Sequence, residues 1–177
     1  MGLPGEDALE AIVSRWLKRL GLTLAVAESC TGGLIGHRIT NVPGSSIYYH
    51  GSITAYSYDV KELILRVQHD TLYHWGAVSE QTAREMARGV RDAFHADIGL
   101  AVTGVAGPNG GMPEKPVGLV YIALTTPDGE WLERHVWGGD RWENKRLSAE
   151  AALDLLRRYL EGQSQANRRP PAVSHAG

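Results

Sequence analysis

Apolar residues recur along this chain with two spacings, and each spacing predicts a different kind of element. Over residues 7–20, Leu9, Ile12, Val13, Trp16, Leu17 and Leu20 fall on one helical face, with Asp7 as N-cap and Gly21 as the stop. A second amphipathic helix follows Ser79, with Ala83, Met86, Ala87, Val90 and Phe94 at three- and four-residue steps. The last helix opens at the capping-box pair Asp140 and Glu143 and turns Leu147, Ala151, Leu155 and Tyr159 inward. Shorter helices are expected from about Thr31 to the VPGSS turn and over the DVKELILRV stretch, which is followed by a connection through YHWGA to which no element is assigned.

Between these lie runs that read as strands. LTLAVA (22–27) and DIGLAVT (97–103) are short and buried in character, and VGLVYIALT (117–125) is nearly continuous apolar, as a strand covered on both faces should be. IYYHGSITAYSY (47–58) is rich in aromatic and β-branched residues. EWLERHVW (130–137) alternates like a strand near a sheet edge, and the PDG turn before it joins the last two strands as a hairpin. Helices interspersed with strands, plus one late hairpin, predict an α/β sandwich around a mixed sheet. From Gly162 onward periodicity is lost, so residues 1–161 read as one domain and 162–177 as a disordered tail.

Composition narrows the function classes. The chain has 177 residues, 43% hydrophobic and 21% charged, in the range of an ordinary globular domain. No apolar run approaches the ~20 residues that span a bilayer, and the N-terminus lacks the pattern of a signal peptide. A single cysteine excludes an internal disulfide framework and predicts a cytoplasmic protein. Net charge is −2 without a basic block in the body of the chain, so neither nucleic acid nor a membrane is the expected partner. The seven histidines show no metal-binding spacing, and no metal or other cofactor is expected.

Two segments carry candidate chemistry. ESCTGG sets Ser29 and Cys30 before a glycine pair at a strand-to-helix turn, where backbone N–H groups can hold an oxyanion or a phosphate. The same residues also read as a helix cap and a tight turn, and spacing leaves both readings open. It is neither a GxSxG elbow nor a Walker loop. A serine nucleophile needs a base, and AYSYDVK offers Tyr56 and Lys61, the lysine only if burial depresses its pKa. Cys30 is the weaker nucleophile candidate, since the local histidine, His37, has no diagnostic spacing. The second segment is the long glycine-rich loop TGVAGPNGG from Thr103, whose glycines would let a ligand approach the backbone.

These stretches together resemble one family. AESCTGGLIGHRITNVPGSS, GSITAYSYDVK, GAVSEQTAREMARG, AVTGVAGPNGG and PEKPVGLVYIAL follow in the order and spacing of the CinA carboxy-terminal domain, from about residue 8 to 161. That family contains the nicotinamide-nucleotide amidohydrolases, and the chain resembles their stand-alone form, without the amino-terminal molybdopterin-binding-like domain of larger members. The resemblance implies a three-layer α/β/α sandwich with a mixed five-stranded sheet, similar to anticodon-binding domains. It implies hydrolysis of nicotinamide mononucleotide to nicotinate mononucleotide and ammonia, in pyridine nucleotide salvage, by a homodimer that needs no cofactor. By position it makes Ser29 the nucleophile, with Lys61 and Tyr56 as its catalytic partners. Thr31, Gly32, Gly33, Thr103, Gly104, Ala106, Gly107 and Arg141 are the candidate substrate-binding residues, their amides for the oxyanion or phosphate and Arg141 for the phosphate. Tyr58 and Met112 depart from the residues common in the family and are expected to border the pocket. A second class, a catalytically quiet nucleotide-binding or interaction domain linked to competence or DNA damage, stays open on sequence alone.

Overall fold

The two faces of the central strands differ in side-chain size, and that difference builds the layers. The computed structural model describes residues 4–166. Its five strands are β1 (Leu24–Glu28), β2 (Tyr49–Thr54), β3 (Ile98–Gly104), β4 (Leu119–Thr126) and β5 (Gly129–Val136), in the order β2-β1-β3-β4-β5. β2, β1 and β3 run parallel, while β4 and β5 are antiparallel to their neighbours. One face presents Leu24, Val26, Leu100, Val102, Ile122 and Leu124 to the helices α1 (Leu9–Leu20), α2 (Leu34–Thr40) and α6 (Arg141–Ala166). The other presents the small Ala25, Ala27, Ala101 and Ala123 at its centre, and the helix α5 (Glu80–Ala93) packs there through Ala83, Met86, Ala87 and Val90. Close approach is required on this side. A Cβ on Gly99 would lie 2.0 Å from the Ala87 carbonyl oxygen, and one on Gly89 would lie 1.8 Å from that of Leu65. The result is a three-layer α/β/α sandwich around a mixed five-stranded sheet, as expected.

Several boundaries differ from the sequence reading. Ala8, not Asp7, precedes α1 and makes no side-chain cap, whereas Gly21 does end it in the left-handed conformation. β2 stops at Thr54, and α3 (Tyr58–Leu63) is a six-residue helix capped by Ser57. The connection that ends in YHWGA contains a helix, α4 (His69–Trp75), whose single buried residue, Leu72, leaves no apolar period to detect. Ser79 caps α5 as predicted, through the Thr82 N–H. α6 runs past Gly162 to Ala166, so residues 162–166 are helical; the remainder of the expected tail, 167–177, lies outside the described residues.

The buried stripe of α6 matches the predicted one in part: Leu155 and Tyr159 are buried as expected, while Leu147 and Ala151 are only partly so. Asn144, Ser148, Ala149, Ala152, Leu153, Leu156 and Leu160 are buried besides. Two of these are polar, and both are satisfied: Asn144 bonds the Ala106 carbonyl and the Gly139 N–H, and Ser148 bonds Trp137 Nε1 and the Asn144 carbonyl. Glu10, Arg38 and Glu150 tie α1, α2 and α6 together through two 2.6 Å ion pairs.

Candidate active site

The parallel strands β1, β2 and β3 all end on one edge of the sheet, and three loops leave from there. In open α/β sheets this carboxyl edge is where ligands bind. Ser29 follows β1, Ala55 and Tyr56 follow β2, and Val105–Gly107 follow β3. These loops enclose a cavity of about 250 Å³ lined by Ser29, Tyr56, Lys61, Ala77, Thr103, Gly104, Ala106, Gly107 and Arg141, among others.

At its floor, α3 turns its lysine inward and its leucine outward. Lys61 is 1% exposed and Leu63 is 78% exposed. Hydrophobic burial alone would choose the opposite orientation. Lys61 Nζ donates to Ser29 Oγ at 3.1 Å and to the Ala55 carbonyl at 2.5 Å. Burial pushes the Lys61 ammonium down to about 8, well below its usual range. A fully buried lysine near neutrality, hydrogen-bonded to a serine hydroxyl, is equipped to take that hydroxyl's proton.

Tyr56 is brought to the same cavity but not to the same hydrogen-bond network. It is 62% exposed, and its hydroxyl accepts from Arg141 Nη2 at 2.8 Å, not from Lys61 or Ser29. Arg141 also donates through Nη1 to the Gly107 carbonyl at 2.7 Å, so it braces the rim between the β2 and β3 loops. Thr103, fully buried, spends its hydroxyl on the Ala77 carbonyl and so fixes the far wall. Neither Tyr58 nor Met112 lines the cavity; Tyr58 acts from behind, its hydroxyl accepting from the Ala77 N–H.

The expected roles of Gly32 and Gly33 need correction. Gly32 N–H bonds the Ser29 carbonyl at 3.1 Å, and Gly33 N–H bonds Glu28, so neither amide is available to an oxyanion or phosphate. Gly104 and Gly107 serve the protein's own packing. A Cβ on Gly104 would lie 2.6 Å from the Leu119 carbonyl oxygen; one on Gly107, at φ +86°, would lie 2.5 Å from Val117 Cγ1. Among the described residues, the N–H groups of Cys30, Thr31, Ala106 and Gly107 have no acceptor in another residue, though Thr31 is fully buried.

Glu28 is the functional residue that sequence reasoning missed. Fully buried at the end of β1, it accepts from the N–H groups of Gly33, Ile35 and Gly36 at 2.9–3.1 Å. It caps α2 from five residues upstream and thereby fixes the Ser29–Gly32 turn. The only sequence signal was an acidic residue ending an otherwise apolar strand.

Cys30 is excluded as a nucleophile by the same geometry. Its side chain belongs to the core against α1, α2 and α6, and burial pushes the thiol up to about 12. Cys30→Ala is expected to retain most of the chain's activity while lowering stability by on the order of 1 kcal/mol, measurable by denaturant titration. Among the described residues no three His, Cys, Asp or Glu side chains form a metal cluster, and no helix is long and apolar enough to cross a membrane.

The comparisons with known proteins agree with this architecture. The CinA C-terminal domain family matches residues 6–160. A CinA-like protein of Desulfotalea psychrophila is 48% identical over 154 residues, 87% of this chain and 37% of that protein. A CinA-like protein of Amoebophilus asiaticus is 48% identical over 156 residues, 88% of this chain and 38% of that protein. The chain thus spans well under half the length of the curated relatives it matches. Among solved structures, the competence/damage inducible protein CihA of Agrobacterium tumefaciens superposes with a TM-score of 0.83 at 38% identity, covering 91% of this chain and 99% of that one. A CinA superfamily protein of Klebsiella pneumoniae superposes at 0.85 with 30% identity, covering 90% and 99%. With its family match covering nearly the whole described fold, the chain belongs to the CinA C-terminal domain family.

Proposed function

We propose that the chain is a serine amidohydrolase that converts nicotinamide mononucleotide to nicotinate mononucleotide and ammonia. The observation that carries this reading is the buried Lys61 amine, 3.1 Å from Ser29 Oγ and shifted to about 8. In its neutral form Lys61 takes the Ser29 proton as Oγ attacks the carboxamide carbon. The oxyanion is met by unengaged N–H groups, that of Cys30 on one loop and that of Ala106 or Gly107 on the other. Lys61 then returns the proton to the amine, the C–N bond breaks, and ammonia leaves. Water, deprotonated by the same lysine, attacks the ester on Ser29; Lys61 passes that proton to the leaving Ser29 Oγ as the acyl C–O bond breaks, and the carboxylate is released. Tyr56 and Arg141 stand at the rim, where they can orient the nucleotide.

A quiet binding domain in a protein of competence or DNA damage response is the competing reading; the name of one solved relative refers to competence and damage and to no reaction. Turnover separates the two. Incubation with nicotinamide mononucleotide is expected to give ammonia and nicotinate mononucleotide in equal amounts, with nicotinamide riboside and free nicotinamide poorer substrates. Binding of the mononucleotide without ammonia release would leave only the quiet domain.

A further inference from the structure

The connection between β3 and β4 runs outward from the cavity wall into a strap. Every residue from Pro108 to Glu114 is exposed, so apolar burial does not hold this segment in place. It folds back on itself through two 2.9 Å backbone bonds between Met112 and Lys115. A Cβ on Gly111 would lie 2.9 Å from the Val117 nitrogen, so its close packing is against its own stem. Among the described residues, a single hydrogen bond joins residues 108–115 to another element. In it Lys115 Nζ donates to the Trp75 carbonyl at the end of α4. Yet the strap's Asn109 lines the reaction cavity together with Ser29 and Lys61.

The point of attachment is itself firmly held. Trp75 is the last residue of α4, and the carbonyls that end a helix favour a cation. The two carbonyls that follow are also taken by side chains. That of Gly76 accepts from the Ser79 and Thr82 hydroxyls, and that of Ala77 from the Thr103 hydroxyl at 2.7 Å. The Ala77 N–H ends on the Tyr58 hydroxyl, three residues before Lys61 on α3. A Cβ on Gly76, at φ +74°, would lie 2.9 Å from Lys115 Nζ, so the ammonium rests directly against this backbone.

We propose that Lys115 is a positioning residue for the hydrolysis: it latches the strap to the end of α4 and so holds Asn109 over the Ser29 cavity. The role rests on the amidohydrolase reading and adds to it a residue that acts from outside the cavity. Asn109 presents an exposed amide, donor and acceptor together, at the cavity mouth. Ser29 and Lys61 are buried at the floor, so this amide meets the polar part of the substrate beyond its carboxamide. The latch therefore acts on substrate binding and not on proton transfer between Ser29 and Lys61.

Amide hydrogen exchange tests the latch in the free protein, with no ligand required. Lys115→Met is expected to speed exchange at Met112 and Ala77 by roughly three- to tenfold, the scale of one hydrogen bond. Lys115→Arg, which can donate to the same carbonyl, should stay close to wild type. Kinetics with nicotinamide mononucleotide test the positioning. Lys115→Met should raise KM by roughly the same three- to tenfold and leave kcat within about twofold, as loss of uniform binding does. Asn109→Ala should do likewise, and the double variant should be no worse than either alone, because both remove one interaction. Unchanged exchange or an unchanged KM in Lys115→Met, or two effects that add in the double variant, would overturn the role while leaving the amidohydrolase intact. Faster exchange in Lys115→Met, beside a wild type that releases no ammonia, would instead uphold the latch and defeat the amidohydrolase reading.

Discussion

Ser29→Ala is expected to abolish ammonia release from nicotinamide mononucleotide, by on the order of 10⁴- to 10⁶-fold, the loss when the nucleophile of a catalytic unit is removed. The fold should survive, because among the described residues the hydroxyl makes one hydrogen bond, as acceptor from Lys61, and Lys61 keeps its bond to the Ala55 carbonyl. One lost hydrogen bond costs roughly 1 kcal/mol. A denaturant midpoint near that of the wild type, beside a rate at background, separates loss of chemistry from loss of structure. Residual turnover in Ser29→Ala above a small percentage of wild type would mean that another group attacks the carbonyl.

Lys61 gives the second large effect, and two substitutions distinguish its possible roles. Lys61→Met preserves length and apolar character in a fully buried position but removes the amine. Lys61→Arg preserves positive charge, yet guanidinium stays protonated in proteins and cannot act as a base. If Lys61 is the general base, both variants lose about 10²- to 10⁴-fold in rate. If it merely supplied charge to the oxyanion, arginine would rescue and methionine would not. Lys61→Met should also be at least as stable as wild type below the lysine's folded pKa, because the buried cation it replaces is costly.

Most of the fold was legible because its helices and strands bury regular stripes. Val13 and Leu17 in α1, and Ala83, Met86, Ala87 and Val90 in α5, are buried where the spacing put them. The central strands, unbroken in apolar sequence, are covered on both faces, and the alternating Gly129–Val136 strand is at the edge. What periodicity missed are the places where function or polar pairing overrides it. α3 inverts its pattern to bury Lys61, and no local signal in YDVKEL announces that. α6 buries Asn144 and Ser148, because their partners come from the Ala106 carbonyl and Trp137, which are distant in sequence.

The site itself was legible only in part. Motif order pointed to Ser29, Lys61 and Tyr56, and the fold brings all three to one cavity. It ties Tyr56 to Arg141 rather than to the Ser29–Lys61 pair, and that contact spans 85 residues of chain. The amides of Gly32 and Gly33 were read as donors, but Ser29 and Glu28 already claim them, whereas that of Gly107 has no acceptor among the described residues. The three N–H groups gathered by Glu28 follow from the return of the chain after β1, which composition cannot reveal.

The central claim, that a neutral buried lysine activates Ser29, has a signature in pH. Burial lowers the folded pKa of Lys61 from the ordinary 10.5 to about 8. The unfolded chain therefore holds the proton up to higher pH, and this group's contribution to stability rises between about 8 and 10.5. Only the deprotonated amine is catalytically competent, so activity follows the same direction. The direct measurement is kcat/KM for ammonia release from nicotinamide mononucleotide between about pH 6 and 10, which reports the free enzyme's essential base. It should climb close to tenfold per pH unit at the acid end and level off above about 8. A profile that is flat across this range, or that falls as the lysine loses its proton, would contradict the account.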